Sequence, residues 1–128
     1  MKRLKNLFPF LLLMAVMISC NNYGTKLEFD GTEVYYTENV TKDEAEKLGK
    51  FLQDQKFTDG SKKSVQFDKK GDLYLFRMVA KDDFELDAEK ETLFKTFITL
   101  ISTQVLDGAD VEIQLCDNKF KTIDVVKK

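Results

Sequence analysis

Residues 64–80, SVQFDKKGDLYLFRMVA, decide the fold of this chain. Ser64 to Asp68 alternates polar and apolar residues, which is typical of a strand with one buried face. Residues 69–72 have the composition of a turn, and residues 73–80 are apolar on both faces except at Arg77. A strand that is apolar on both faces lies inside a sheet rather than at its edge. The stretch therefore predicts a β-hairpin whose second strand is central.

A helix is predicted on each side of this hairpin. Thr41 and Glu44 form a capping box. The threonine hydroxyl accepts a hydrogen bond from an amide of the first turn, and the glutamate side chain accepts one from the threonine amide. This helix is expected to end near Gln55. Asp87 is the expected cap of the second helix, which ends near Leu106.

Two more strands are predicted at each end of the chain. Residues 26–37 form a hairpin around Asp30-Gly31, a strong turn signal, and residues 109–116 and 120–126 alternate polar and apolar side chains. The order ββαββαββ predicts an α+β two-layer sandwich, with a mainly antiparallel sheet and both helices on one face. The favoured topology is a ferredoxin-like βαββαβ core with extra strands.

The first twenty residues, MKRLKNLFPFLLLMAVMISC, have the layout of a secretory signal, in which cations precede an apolar run. The run has about twelve residues, against the roughly twenty that span a bilayer. Residues 17–20, MISC, resemble the lipobox of bacterial lipoproteins, with Met17 where leucine is usual. The resemblance implies cleavage before Cys20, lipidation of Cys20 and a place in the bacterial cell envelope. An ordinary signal peptide with a chance cysteine is the alternative.

Cleavage would leave a single domain. Residues 1–19 are the predicted signal peptide, residues 20–26 a short tether, and residues 27–128 one α+β domain. The signal peptide holds three of the 20 Lys/Arg and none of the 22 Asp/Glu, so 17 cations and 22 acids remain, a net charge of −5. An acidic chain lacks the basic face that nucleic-acid binding needs. We therefore expect a membrane partner through the lipid on Cys20 and no nucleic-acid partner.

Catalytic signals are few. The chain has no histidine, which removes the commonest general base and metal ligand. Cys116 lies beside Asp117, and a carboxylate raises the pKa of a thiol, so we expect a structural cysteine. The acidic run 82–91 lacks the spacing of an EF-hand and fits the solvated start of a helix. We predict no catalytic residue, metal site or cofactor. An envelope enzyme that uses carboxylates or a divalent cation, or a small-ligand binder, is the alternative.

The sheet face turned away from the helices is the predicted binding surface. An apolar centre with a polar rim is typical of protein interfaces, whereas a face that merely contacts water is the simpler interpretation. The candidate partner-binding residues, taken from the strand alternation, are Tyr35, Leu73, Leu75, Arg77, Glu112 and Gln114.

Several stretches resemble uncharacterised small envelope lipoproteins. They are VTKDEAEKLGKFL at 40–52, FTDG at 57–60 and VQFDKKGDLYLFRMV at 65–79, and VEIQLCDNKFKTIDVV at 111–126 extends them. The resemblance implies no activity and no catalytic residue. We therefore predict a membrane-anchored, non-catalytic module that holds a protein or peptide partner on the open sheet face. A purely structural spacer is a third interpretation.

Overall fold

The computed structural model describes residues 22–128, so the predicted signal peptide and Cys20 lie outside the described residues. The elements are β1 (Thr25–Phe29), β2 (Thr32–Tyr36), α1 (Lys42–Asp54), β3 (Lys63–Lys70), β4 (Leu73–Val79), α2 (Ala88–Gln104), β5 (Val111–Cys116) and β6 (Thr122–Lys127). This order confirms the predicted ββαββαββ succession. Some boundaries differ. Thr25 and Lys26 belong to β1 rather than to the tether, and β3 continues to Lys70, into the predicted turn.

Local signals explain where the helices begin. The Thr41 hydroxyl accepts from the Glu44 amide at 3.1 Å, and the Glu44 carboxylate accepts from the Thr41 amide at 2.9 Å, which confirms the capping box. The Asp87 carboxylate accepts from the Lys90 amide at 2.8 Å and starts α2 in the same way. Both caps satisfy amides that have no partner inside the helix.

The sheet has six strands, and their spatial order follows the chain order from β1 to β6. β4 is an interior strand, as its two apolar faces predicted. Neighbours joined by a turn are antiparallel, whereas β2 with β3 and β4 with β5 are parallel, and each parallel pair is joined by a helix. The sheet is therefore mixed, and the predicted antiparallel pairing holds for the three hairpins.

Both helices cover the same face of the sheet. The ring of Phe51 on α1 lies 5.5 Å from that of Phe97 on α2, and Phe97 lies 5.8 Å from Phe76 on β4, measured between centroids. Buried residues of both helices and of strands β2 to β6 form one apolar cluster. The α+β prediction with both helices on one face is confirmed.

The ferredoxin-like topology is not confirmed. Such a core places its first and third strands side by side, whereas here every strand lies beside its neighbour in the chain. The parallel pair β2/β3 runs opposite to β4/β5, yet both crossovers step the same way across one face. Their hands must therefore be opposite. Since about 98 % of such crossovers are right-handed, one of these two belongs to the rare left-handed class, which no local sequence pattern indicates.

Candidate functional site

The structure places all six predicted partner-binding residues on the face opposite the helices, which we call the open face. Strand pairing sets Arg77 beside Gln114 and Leu75 beside Glu112, while Tyr35 joins the same row as Arg77 through its pairing with Gln66. Leu73 is different, because it pairs with Lys70 at the far end of the β3–β4 hairpin. Five of the six residues thus form one group and Leu73 stands apart.

Arg77 is the centre of this group. Its Nε donates to Gln114 Oε1 at 2.8 Å, and one terminal nitrogen donates to Gln66 Oε1. The other terminal nitrogen donates to the Phe120 carbonyl at 2.7 Å and to Thr122 Oγ1 at 3.1 Å. All these acceptors are neutral, and no ion pair found within residues 22–128 includes Arg77. The guanidinium is therefore held by hydrogen bonds, and its charge is not neutralised by a contacting carboxylate.

Two aromatic residues that were not among the predicted site residues, Tyr23 and Phe120, pack together on the open face. Tyr23, before the first strand, packs its ring 4.9 Å from Phe120 and 5.7 Å from Tyr35. The Tyr23 carbonyl accepts from Gln66 Nε2 at 2.8 Å. The available signal for Tyr23 was its presence as a large aromatic residue in an otherwise polar tether. We call Tyr23, Tyr35 and Phe120 the aromatic latch.

These contacts alter the predicted surface. Leu75 and Glu112 are each only 9 % exposed. The expectation that both are accessible to a partner is therefore wrong. Tyr35 packs in the aromatic latch, and Gln114 uses its amide to bind both Arg77 and Glu112. The outward orientation of the six residues is confirmed, whereas a protein or peptide partner on this face stays a prediction.

Cys116 ends β5 on the same face and is fully buried. Burial raises the pKa of its thiol, the nearby Arg77 lowers it in part, and Asp117 adds a small upward effect. The neutral thiol is a poor nucleophile. The position agrees with the structural role expected from the sequence, although burial rather than Asp117 is the main cause.

A separate concave site lies where β3 begins and β4 ends, beside the start of α2. It is a pocket of about 720 Å³, and a second pocket of about 150 Å³ shares part of its wall. We call the two together the aromatic groove. Its larger apolar lining residues are Phe57, Met78, Phe84, Leu93, Phe94, Phe97 and Leu115. Leu93 is 65 % exposed at its rim, so apolar surface continues outward from the groove.

Lysines border the aromatic groove. Lys62, Lys63 and Lys81 line it together with one acid, Asp59. Lys63 Nζ lies 2.7 Å from an Asp59 carboxylate oxygen and 5.5 Å from the Phe57 ring centroid. Lys62 and Lys81 take part in no ion pair within the described part of the chain. Among the residues that line the groove, three cations and one acid therefore surround an apolar floor.

The aromatic groove is not predictable from the sequence pattern, because its phenylalanines fit the core or turns. Phe94 and Phe97 fit the apolar stripe of α2, and Phe57 fits a turn. Phe84 was the available signal, since it is a large aromatic residue within the acidic run 82–91. The structure turns it toward Phe94, with 6.2 Å between ring centroids.

Two further properties concern residues 22–128 as a whole. No helix in this range is long and apolar enough to cross a membrane. Nor does any group of three His, Cys, Asp or Glu side chains in this range have the arrangement of a metal site. The acids of the run 82–91 include the cap of α2, Asp87, whose pKa is lowered by hydrogen bonds from the Lys90 amide and side chain.

Comparison with known proteins gives one match. A family model described as the AF_1994_N family N-terminal domain matches residues 26–128. No curated protein matches the chain. No solved structure matches it either. The matched range takes in both helices and all but the first residue of the sheet, so the chain belongs to the AF_1994_N family.

Proposed function

We propose that the protein is a lipid-anchored protein of the bacterial cell envelope that binds an amphipathic anion in the aromatic groove without catalysing a reaction. The anchor rests on the first twenty residues, where a cationic start and an apolar run lead to Cys20. A bilayer-bound protein meets ligands with an apolar chain and a charged head at high local concentration. The anchor and the groove thus suit the same class of ligand.

One observation carries the choice of ligand, namely an aromatic floor bordered by three lysines and one acid. Phe84 and Phe94 offer apolar area, and burial of apolar surface contributes about 25 cal/mol per Å². Lys62 and Lys81 line the groove and form no ion pair within residues 22–128, and the charge of Lys62 acts on the Glu33 carboxylate. The volume of about 720 Å³ falls within the range of roughly 300–1,000 Å³ that is usual for small-molecule sites.

The non-catalytic part of the proposal has separate support. The sequence has no histidine, and the Cys116 thiol is buried with a raised pKa. The aromatic groove contains lysines, one aspartate and serines, but Asp59 is held by Lys63 and Ser61. An envelope enzyme that uses carboxylates or a cation is the competing proposal, and activation by a divalent cation would support it.

The anchor is tested on the full chain expressed in a bacterium. We expect labelled palmitate to enter the protein and the intact mass to show acyl groups on Cys20. The variant Cys20→Ser should lose both signals. A protein that is secreted, cleaved and free of lipid would contradict the anchor and leave the ordinary signal peptide as the explanation.

The ligand is tested on the chain from residue 20 onward, produced without lipid. Decanoate and decanol share a chain length and differ in charge, and calorimetry compares their affinities. We expect Lys62→Glu with Lys81→Glu to weaken decanoate binding about tenfold, since each surface charge contact contributes about 0.2–1 kcal/mol and reversal adds repulsion. Decanol binding should stay unchanged.

Lys47→Glu is the matched control, because Lys47 is an exposed lysine of α1 away from the groove. Phe94→Asp should weaken both ligands, since it removes apolar lining. Equal decanoate affinities in the wild type and in the double charge reversal, with both proteins folded, would contradict the proposal.

A further inference from the structure

We propose that the open face is the surface of the domain that lies against the bilayer, held there by the aromatic latch. This inference rests on the lipid anchor at Cys20 proposed above. It concerns a different surface from the aromatic groove. It names lipid headgroups, rather than a protein, as what the open face contacts.

The chain before β1 runs across the open face. Gly24 has φ +116°, and a side chain there would collide with the Tyr36 carbonyl, so the chain turns sharply beside β2. The turn sends Tyr23 back over the open face, where its carbonyl binds Gln66 and its ring packs on Phe120. The chain therefore enters the domain across this face rather than at the end of a strand.

The short chain between Cys20 and Tyr23 limits the distance between the membrane and the open face. Tyr23 is three residues from Cys20, which spans at most about 10 Å of extended chain. Without the latch, the chain from Cys20 to the start of β1 at Thr25 would reach about 17 Å and would let the domain rotate. With Tyr23 fixed, an acylated Cys20 keeps the membrane surface close to the open face. The helices, on the opposite side of the sheet, then point away from the bilayer.

The charged side chains of the open face do not themselves set the orientation. Strand pairing places equal numbers of acids and cations on this face: Glu28, Glu33, Asp68 and Glu112, with Lys26, Lys70, Arg77 and Lys127. A surface with balanced charge neither draws the domain to anionic lipid nor repels it. The orientation is thus set by the latch and the acyl chains. The polar outer rows suit a hydrated headgroup layer rather than the hydrocarbon core.

This orientation also affects the predicted partner surface on the open face. A bilayer next to Arg77 and Tyr35 would leave no room for a folded protein on the open face. The aromatic groove is instead at the end of the sheet where β4 leads into α2. The geometry therefore separates an anchoring face from a ligand site.

The test uses the full chain, processed by its bacterial host and inserted into vesicles of phosphatidylethanolamine and phosphatidylglycerol. Single cysteines carry a fluorophore, and the quencher is a nitroxide on the lipid headgroup. Glu28→Cys and Lys127→Cys report from the open face, whereas Lys47→Cys and Thr103→Cys report from the helices. The parent chain controls for labelling of Cys116, which is fully buried.

We expect quenching about twofold or more stronger at the two open-face positions, because the outer side of the helices lies roughly 20 Å further from the bilayer. Tyr23→Gly should bring the four positions toward equal quenching while the vesicles still carry the protein. Tyr23→Phe keeps the ring and the carbonyl, so it should behave as the wild type.

Vesicle flotation and the mass of the Cys20 peptide are recorded in the same experiment. Acylated protein that floats with equal quenching on both faces would overturn the orientation and leave the anchor standing. Protein without acyl groups that does not float would overturn the anchor, and the orientation would fall with it. Strong quenching on the helices alone would also overturn the inference.

Discussion

Removal of the Tyr74 hydroxyl tests how β4 is joined to the first turn of α1. This hydroxyl donates to Glu44 Oε2, while Glu44 Oε1 accepts from the Thr41 amide at 2.9 Å. The hydrogen bond to Glu44, together with burial, raises the pKa of Tyr74 to about 12. Burial raises the pKa of Glu44, but hydrogen bonds from Tyr74 and Thr41 outweigh burial and leave that pKa lowered.

We expect Tyr74→Phe to reduce the free energy of unfolding by about 1.5–2 kcal/mol at neutral pH. This is the lower part of the roughly 1.5–3 kcal/mol range for hydrogen bonds to charged groups, because Glu44 keeps its bond to Thr41. The ring remains, so no cavity contributes. In a domain of this size, the loss corresponds to a fall in Tm of roughly 6–8 °C.

The effect has a pH signature. The lowered folded-state pKa of Glu44 stabilises the protein above the unfolded pKa, and this contribution is lost as the pH falls through the acid range. The raised pKa of Tyr74 stabilises the protein below its ordinary value of 10.0, and this contribution is lost as the pH rises toward about 12. The difference between wild type and Tyr74→Phe should therefore be largest near neutral pH.

Urea unfolding followed by circular dichroism at several pH values measures this difference. Tyr36→Phe is the matched control, since Tyr36 also packs against the core and its hydroxyl has no hydrogen-bond partner found among residues 22–128. A Tyr74→Phe penalty below about 0.5 kcal/mol, less than an ordinary neutral hydrogen bond contributes, would refute the reasoning. A penalty that does not change with pH would refute the assignment to an ionised Glu44.

Three further substitutions test packing and polar satisfaction by thermal unfolding. Thr32→Val should stabilise the protein by about 1 kcal/mol, because the Thr32 hydroxyl is buried without a partner in the described structure; a lower Tm would show that it is satisfied. Gly49→Ala should destabilise it, since a Cβ there would collide with the Phe29 ring and overpacking of about 1–3 kcal/mol exceeds the helix-propensity gain; a raised Tm would contradict this contact. Arg77→Met should cost about 2–3 kcal/mol, because acceptors such as Gln66 lose a charged donor; an unchanged Tm would remove Arg77 from the structural centre of the open face.

Local sequence signals predicted the elements well. The capping pair Thr41 and Glu44 and the cap Asp87 mark helix starts, and Asp30-Gly31 marks a turn. These signals work because each is satisfied by atoms a few residues away. The two apolar faces of residues 73–80 likewise predicted a central strand, and its Tyr74 and Phe76 belong to the core.

The candidate sites were predicted less well, because each depends on residues far apart in the chain. Tyr23 reaches Gln66 across 43 positions, and Arg77 reaches Phe120 across the same number. The alternation of polar and apolar residues along β4 predicted the face on which Arg77 lies, but not the residues that contact it. The aromatic groove escaped prediction for the same reason, since Phe57 and Phe84 belong to loops that only the fold brings together.

The sequence by itself determined the number, type and order of the elements and the sidedness of strands β1 to β5. Hydrogen bonding and apolar periodicity over a few residues carry that information. Strand β6 is the exception, because Val126 packs in the core whereas the alternation placed Ile123 and Val125 there, and both of these are exposed. Tertiary structure alone decided that the strands lie in chain order, that one crossover has the rare hand, and that the chain returns over the open face. These features depend on which distant surfaces pack together, and a periodic pattern along one segment says only that it has an apolar side, not which neighbour covers it.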